Sequence, residues 1–568
     1  MIGVIAKPSE RPAVAEFFEL FKTPWEWFRS DRRYEVVLCT DDENFDVSRA
    51  ELTVIYAGRE VGSDNGTLFE TNSRQGLGVL LLREDRLPIY GDLVTFRDVA
   101  SASLREEGSG RPAMCCRVSD GSTIVRIGYD LFQEIEHLLT EGQPADFAHI
   151  PAVELHIVLL REVILSAGLE LIEVPPIPYG YQFVVCLTHD VDHPAISRHG
   201  WDHTIAGFLY RAVAGSLIKL FRGRIALREL ITNWGAVVRL PFVYLGLAKD
   251  VWQGFEDRYR ALEQGLPSTY FFIPFKDRAG KCAQGPAPKR RAARYSAREL
   301  AGTIRRIIAE GSEVGLHGID AWLDRAAARE ELDEILRITG SLEIGVRMHW
   351  LYSDHESPAV LEQAGAAYDS TVGYRETVGY RTGTIQVYKP LNAESLLELP
   401  MQVMDTALFY PAYMNLSSTQ ATAVLLRFAH DANRFGGCFT MNWHDRSLAP
   451  ERLWDAPYRG VIDHLKGRNA WFATASQAAA WFRLRRSVVF ESDNDTGDGG
   501  CVRIVSEDGD NLPSLRLRIY SRQSLSPTGV SRLPAFNDRR MDRKVEVPSA
   551  CTGSCLRPLC TVGREMNG

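Results

Sequence analysis

The chain has 568 residues, 45% of them hydrophobic and 24% charged, with a net charge of −8 and a mean hydropathy of −0.16. That length exceeds one ordinary core and implies two or three domains. The acidic balance argues against a general nucleic-acid binder, and the composition is that of a soluble globular protein.

The opening apolar run, Ile2 to Ala6, is too short for a secretory leader and is followed at once by Lys7. Residues 1–150 read as a mixed α/β unit. Its strands are expected at Tyr34–Leu38, Leu52–Tyr56 and Gly78–Leu82, with a helix near Tyr129–Leu139. It contains no catalytic cluster, Gly-rich phosphate loop or repeat. Residues 151–182 form a helix, Ala152 to Ala167, and a connector stiffened by Pro175, Pro176 and Pro178.

From 183 to 486 short apolar strands alternate with amphipathic helices. Strands are expected at 183–188, 269–273, 313–316, 344–348, 366–368, 396–399, 438–442 and near 470–474. Alternation of this kind implies a parallel sheet with right-handed crossovers, and seven or eight units suggest closure into a barrel. Ser296, Ala297, Arg298 and Glu299 read as a capping box. An insertion at 193–268 separates the first two strands and is long enough to have its own structure and to cover a site. Within it, Trp234 to Ala248 is the most apolar stretch. Arg239 and Pro241 interrupt it, and it falls short of the roughly 20 residues a membrane span needs. It reads as a core or lid helix, with an interfacial helix as the alternative, and no integral membrane segment is expected.

Residues 487–520 read as a small antiparallel β appendage, and the Ser-, Arg- and Pro-rich stretch 521–568 is expected to be disordered. Cys186 and Cys438 lie in apolar strands as small core residues. Cys551, Cys555 and Cys560 cluster without a nearby histidine and make a poor zinc site, so a reduced, cytoplasmic protein is expected.

The ionisable residues collect where strands end. Asp190 and Asp192 leave the first strand, His317 the third, Arg347 and His349 the fourth, and Asp369 the fifth; Asp405 follows the sixth, and His444 with Asp445 the seventh. A (β/α) barrel carries its site at the C-terminal mouth, which this asymmetry matches. Asp190 and Asp192 share a strand face, and with His317 they suit Zn²⁺ or another divalent ion. One Asp can hold metal while the other accepts a proton from water; Arg347 can keep that base ionised, and His444 can protonate a leaving amine. The reaction class is metal-assisted hydrolysis of an amide or ester.

The ordered set Thr188-His189-Asp190-Val191-Asp192, Ser268-Thr269-Tyr270-Phe271-Phe272, Glu313-Val314-Gly315-Leu316-His317-Gly318, Arg347-Met348-His349-Trp350, Tyr368-Asp369-Ser370-Thr371 and Asn442-Trp443-His444-Asp445 resembles the polysaccharide deacetylase (NodB-like) family. The resemblance spans about 183–485. It implies a distorted (β/α)7 barrel and hydrolytic removal of acetyl groups from a sugar polymer or glycan precursor. Position by position, Asp190 matches the family's base, Asp192 its metal aspartate in an Asp-x-Asp variant and His317 its first metal histidine. Arg347 matches the arginine that pairs with the base, and His444 the acid. His189, Trp350, Asp369, Trp443 and Asp445 fall in the same motifs as substrate-binding or supporting residues. The N-terminal unit is similar to the accessory domain that precedes this barrel in a bacterial subgroup. One position departs from the pattern: Ala321 stands where the second motif places another histidine. Either the third ligand comes from elsewhere, with His349 the first choice, or no metal binds. The expected partner is a glycan or amino sugar. The alternatives are a metal-independent hydrolase of a non-sugar amide on the same barrel and a non-catalytic carbohydrate-binding protein.

Overall fold

In the computed structural model the chain is described except for residues 41–49, 62–71, 97–102, 120–121, 493–498, 506–510, 522–534, 543 and 549–568. A parallel sheet of seven strands lies at its centre: β1 (Val184–Val191), β2 (Thr269–Phe272), β3 (Glu313–Gly318), β4 (Val346–Met348), β5 (Val403–Met404), β6 (Cys438–Asn442) and β7 (Trp471–Ala473). Their order is β4-β3-β2-β1-β6-β5, with β7 paired to the first residues of β1 while β2 pairs with its last. Every residue of β1 is buried, as its unbroken apolar start requires of a strand covered on both faces.

Helices Phe255–Glu263, Ala301–Ala309, Arg325–Thr339, Ser418–Phe435 and Asp455–Lys466 cover the outside of the sheet. The result is a mixed α/β fold around a curled parallel sheet. Single-residue bridges carry it on from Val346 to Asp369 and from Asp369 to Glu398. The chain then reaches β5, which pairs with β6.

The strands expected at 366–368 and 396–399 therefore do not form as ladders. Backbone pairing there is confined to isolated bridges: Val346 N–H donates to the Tyr368 carbonyl at 2.9 Å and Leu399 N–H to the Asp369 carbonyl at 2.8 Å, and just beyond Asp369 the Val372 N–H turns instead to Glu398 Oε1 at 2.8 Å. The capping box at Ser296 is also absent. Ser296 makes no side-chain cap, and Glu299 turns outward to Arg198 and Lys276.

The N-terminal unit is a six-stranded sheet whose inner strands Ile2–Ile5, Tyr34–Cys39, Ala50–Tyr56 and Ser122–Ile127 run parallel. Helices Arg11–Phe21, Leu131–Thr140 and Ala152–Ser166 pack on it. It docks against the central unit through buried polar contacts. The Arg485 guanidinium donates to the carbonyls of Val174, Glu19 and Leu20 at 2.8–2.9 Å. Gln143 donates from its backbone N–H to the Arg381 carbonyl and from its side-chain amide to the Tyr380 carbonyl, each at 2.7 Å.

After helix Ala475–Arg486 come two three-stranded antiparallel sheets, one of which recruits Leu171–Glu173. Their strands Phe536–Met541 and Lys544–Pro548 lie inside the stretch expected to be disordered, which corrects that expectation for these residues. Arg516 and Arg518 gather on Asp538 at 2.8–2.9 Å, and Met541 is buried beside the core side of the Leu515–Tyr520 strand. The three clustered cysteines lie outside the described residues.

Ahead of helix Phe255–Glu263 the insertion folds as a helical pair, His203–Phe221 and Leu227–Tyr244. The first is long and apolar enough to cross a membrane by length and composition, yet only 28% of its most apolar window is buried. On the second, Leu230, Ala236, Leu240 and Val243 face the protein. Leu227, Ile231, Trp234, Val238 and Phe242 face outward.

Candidate metal centre

Alternation along β1 sends Thr188, Asp190 and Asp192 to one side and His189 to the other. His189 is fully buried between Glu263 and the Trp443 carbonyl, each at 2.8 Å, and packs against the tilted ring of Tyr259. Asp190 and Asp192 face a cleft of ≈ 370 Å³ shared with His317, His349, Trp350 and His444.

Asp190 is held by donors. Arg347 Nη1 reaches its Oδ1 at 3.2 Å, and Asn442 Nδ2 donates to its Oδ2 at 2.7 Å. Arg347 is itself fully buried and fixed by Thr188 Oγ1 at 2.7 Å and by the Ser370 carbonyl and hydroxyl at 3.0 and 2.8 Å. Burial alone would raise the Asp190 carboxyl, but His317, Arg347 and His444 together bring it below the ordinary carboxylate value.

Asp192 differs. Its Oδ1 is buried without a hydrogen-bond partner and lies 3.4 Å from His317 Nε2 and 3.3 Å from His349 Nδ1. Those two nitrogens are 3.0 Å apart. The far nitrogen of each ring meets a carbonyl, which only accepts: His317 Nδ1 reaches Arg347 O at 2.9 Å and His349 Nε2 reaches Arg291 O at 3.0 Å. In the neutral rings the protons therefore sit on the far nitrogens, and three lone-pair atoms converge on one point with no donor among them. Burial, ahead of any other influence, lowers the pKa of His349 and favours that neutral form. Two imidazoles and one carboxylate facing inward, each ring backed by a carbonyl, suit a divalent cation such as Zn²⁺.

His444 lies across the cleft, its Nε2 3.8 Å from Asp192 Oδ2. Its Nδ1 pairs with Asp405 Oδ1 at 2.6 Å, and Asp405 Oδ2 accepts from the His444 backbone N–H at 2.8 Å. Burial disfavours the imidazolium, but the carboxylates of Asp405, Asp192 and Asp190 outweigh it and lift the ring to about 10. The chemistry available is thus a fixed carboxylate base, a cationic imidazole and a three-ligand cation site at one cleft.

Of the five expected supporting residues, Trp350 lines this cleft and His189, Asp369, Trp443 and Asp445 do not. Trp443 is fully buried against Tyr458 and donates to the Trp454 carbonyl at 3.1 Å. Asp445 accepts from the backbone of His193 and Arg446, and burial raises it to about 7. Asp369 sits on the sheet beside Glu398, where burial raises both carboxyls.

Trp350 has φ 64°, a left-handed conformation that costs a bulky residue on the order of 1–2 kcal/mol. The next residue, Leu351, has φ 54°. Sequence reasoning missed Asn442, Arg291 and the tyrosines Tyr410 and Tyr413 of the cleft wall. Asn442 closes the strand that delivers His444 and was reachable by the strand-exit argument. Arg291 lies in a loop with no pattern to mark it.

No family model matches the chain, and no curated protein matches it. Among solved structures it is similar to a chain from Mycobacterium smegmatis described as a polysaccharide deacetylase, with 18% identity, 55% of this chain and 95% of that one covered, and a TM-score of 0.33. A Pseudomonas aeruginosa PAO1 chain described in the same terms has 12% identity, coverage of 54% and 92%, and a TM-score of 0.32. Bacillus subtilis PdaA, a family 4 carbohydrate esterase, has 11% identity, coverage of 56% and 88%, and a TM-score of 0.25. Overlap this weak does not by itself assign the chain to a family.

Proposed function

We propose that the protein is a metal-assisted hydrolase that removes the acetyl group from an N-acetylated amino sugar or glycan precursor. The observation that carries this reading is the convergence of Asp192 Oδ1, His317 Nε2 and His349 Nδ1 beside a separately held carboxylate and a cationic imidazole. His349 takes the ligand place that Ala321 leaves vacant in the sequence motif. A divalent ion held by these three residues supplies Lewis acidity and lowers the pKa of bound water.

The rest of the work falls to the protein. Asp190 accepts the proton of the attacking water, and Arg347 with Asn442 keeps its carboxylate ionised and oriented. His444, protonated and aligned by Asp405, stabilises the developing negative charge and then gives its proton to the leaving amine. The C–N bond breaks as the water oxygen joins the acyl carbon, so the products are acetate and a free amine.

Acetate release from a panel of N-acetylated saccharides, with and without a chelator, tests the reading. Release that stops on chelation and returns with Zn²⁺ supports it. Release that persists in metal-free protein would support the alternative of a metal-independent amide hydrolase. Saccharide binding without acetate release by the metal-loaded protein would leave a carbohydrate-binding role.

A further inference from the structure

The cleft is walled by five guanidinium groups, four of which have no close ion-pair partner among the described residues. Arg211, Arg290, Arg291, Arg375 and Arg446 all line it. Arg291 is structural, donating to the carbonyls of Ala279, Ile319 and His349 at 2.7–2.8 Å. The other four differ. Arg290 and Arg375 stand over the Trp350 ring at 5.6 and 5.5 Å, and neither has a carboxylate partner among the described residues. Arg446 lies over Trp252 at 5.2 Å. Arg211 has its nearest carboxylate, Glu451, at 4.0 Å, and its Nε is buried without a partner. The acids of the cleft do not balance them, because Asp190 is engaged by Arg347 and Asn442 and Asp192 faces the two histidines. In a chain of net charge −8 this cationic wall is a local feature.

We infer, resting on the deacetylase reading, that these arginines recognise an oxyanion on the sugar substrate. Planar guanidinium forks match phosphate and carboxylate geometry, and Arg290 and Arg375 are gathered over the Trp350 ring at the rim. The two sources of such a group are a sugar phosphate and a uronic acid residue. The test measures binding and turnover of N-acetylglucosamine, N-acetylglucosamine 1-phosphate and a disaccharide of glucuronate with N-acetylglucosamine by the zinc-loaded protein. One or both charged probes should bind about tenfold or more tightly than the neutral sugar, with the preference weakening as salt rises. The Arg290→Ala/Arg375→Ala variant should lose most of that preference; both residues are exposed at the rim, and circular dichroism checks the fold. Equal affinity for charged and neutral sugars, or a preference untouched by the double variant, overturns the inference. Acetate release from the neutral sugar with no charge preference would leave the deacetylase reading standing and this one fallen. Selective binding of a charged probe without acetate release from any would do the reverse.

A second inference rests on a different observation. Leu227, Ile231, Trp234, Val238, Phe242 and Leu245 recur every three or four residues and are 44–70% exposed, so one helix carries an apolar stripe on its outward side as well as its inward side. Phe221 and Leu247 extend the patch at 83% and 74% exposed. Between Trp201 and Asp250, leaving out Arg211 of the cleft, six Lys and Arg residues stand against three acidic ones. Asp202 and Asp250 are committed to capping backbone N–H groups. We propose that this helical pair docks on an anionic lipid surface, with the stripe at the acyl boundary and the basic residues among the headgroups. Pairing with a second copy would bring like charges together, which disfavours that occupant.

Co-sedimentation of the full chain with vesicles tests this. Vesicles of phosphatidylglycerol and phosphatidylcholine should retain the protein, vesicles of phosphatidylcholine alone should retain about tenfold less, and Ile231→Asp/Val238→Asp should abolish retention. Failure to bind either vesicle overturns the proposal. So does a dimer in analytical ultracentrifugation that the same double variant dissociates.

Discussion

Asp190 and Asp192 are two residues apart, yet their surroundings differ, and the proposed reaction assigns them different tasks. Donors surround Asp190, so Asp190→Asn should lower turnover by about 10²–10⁴ while zinc stays near one equivalent per chain by elemental analysis. Loss of zinc together with turnover in that variant would move Asp190 into the ligand set. His349→Ala removes one of three converging ligand atoms and should cost zinc affinity, read by competition with a chelator. His444 has to be protonated to act as acid, so activity falls as pH rises through its pKa. Asp405 is the main partner lifting that ring to about 10; Asp405→Asn should move the alkaline limb of the kcat/KM profile to lower pH. An unmoved limb would show that another group sets it.

At the scale of the element, the strand exits explain why much of the site was legible in the sequence. Period-two alternation puts Asp190 and Asp192 on one face, and parallel strands deliver His317, Arg347 and His444 to the same end. What was not legible depends on turns and packing. Asp369 follows an apolar run that looks like a strand, but it pairs through only one bridge to Val346 and one to Glu398, and the Val372 N–H beyond it turns to the Glu398 side chain. His189 sits in the same motif as the acids, and alternation carries it to the opposite face. Arg291 shows the limit most clearly. Its guanidinium ties the His349 carbonyl to two other loops, and its own carbonyl accepts from the His349 ring. Arg291→Met should therefore weaken zinc binding about 10–100-fold without removing a ligand, as loss of an outer-shell partner does. Wild-type affinity in that variant would show that the turn at Trp350 holds itself.

For the whole molecule, the seam between the N-terminal unit and the central sheet contains ionisable groups that water does not reach. Glu154 on helix Ala152–Ser166 accepts from Thr384 Oγ1 at 2.6 Å, and burial lifts its carboxyl from 4.5 to about 7. The folded state thus holds a proton that the unfolded chain releases. Stability falls as pH rises from about 4.5 to about 7 and is flat above. Glu154→Gln removes that dependence, so relative to wild type it should gain on the order of 3 kcal/mol between pH 4.5 and pH 8 in denaturant unfolding. An identical pH slope in both proteins would mean the group is solvated. The central α/β pattern was legible because each helix and strand repeats its own period. The strands Phe536–Met541 and Lys544–Pro548 were not, because polar composition masked residues that find partners only across the sheet.

Gln143 grips Tyr380 and Arg381, and its carbonyl also accepts from the Tyr374 hydroxyl at 2.7 Å. The neighbour of Tyr374 is Arg375, at the rim of the cleft. The N-terminal unit is in this sense a buttress, and the mouth of the cleft leans on it. Cutting the chain at the connector would free a cleft whose doorframe had lost its post.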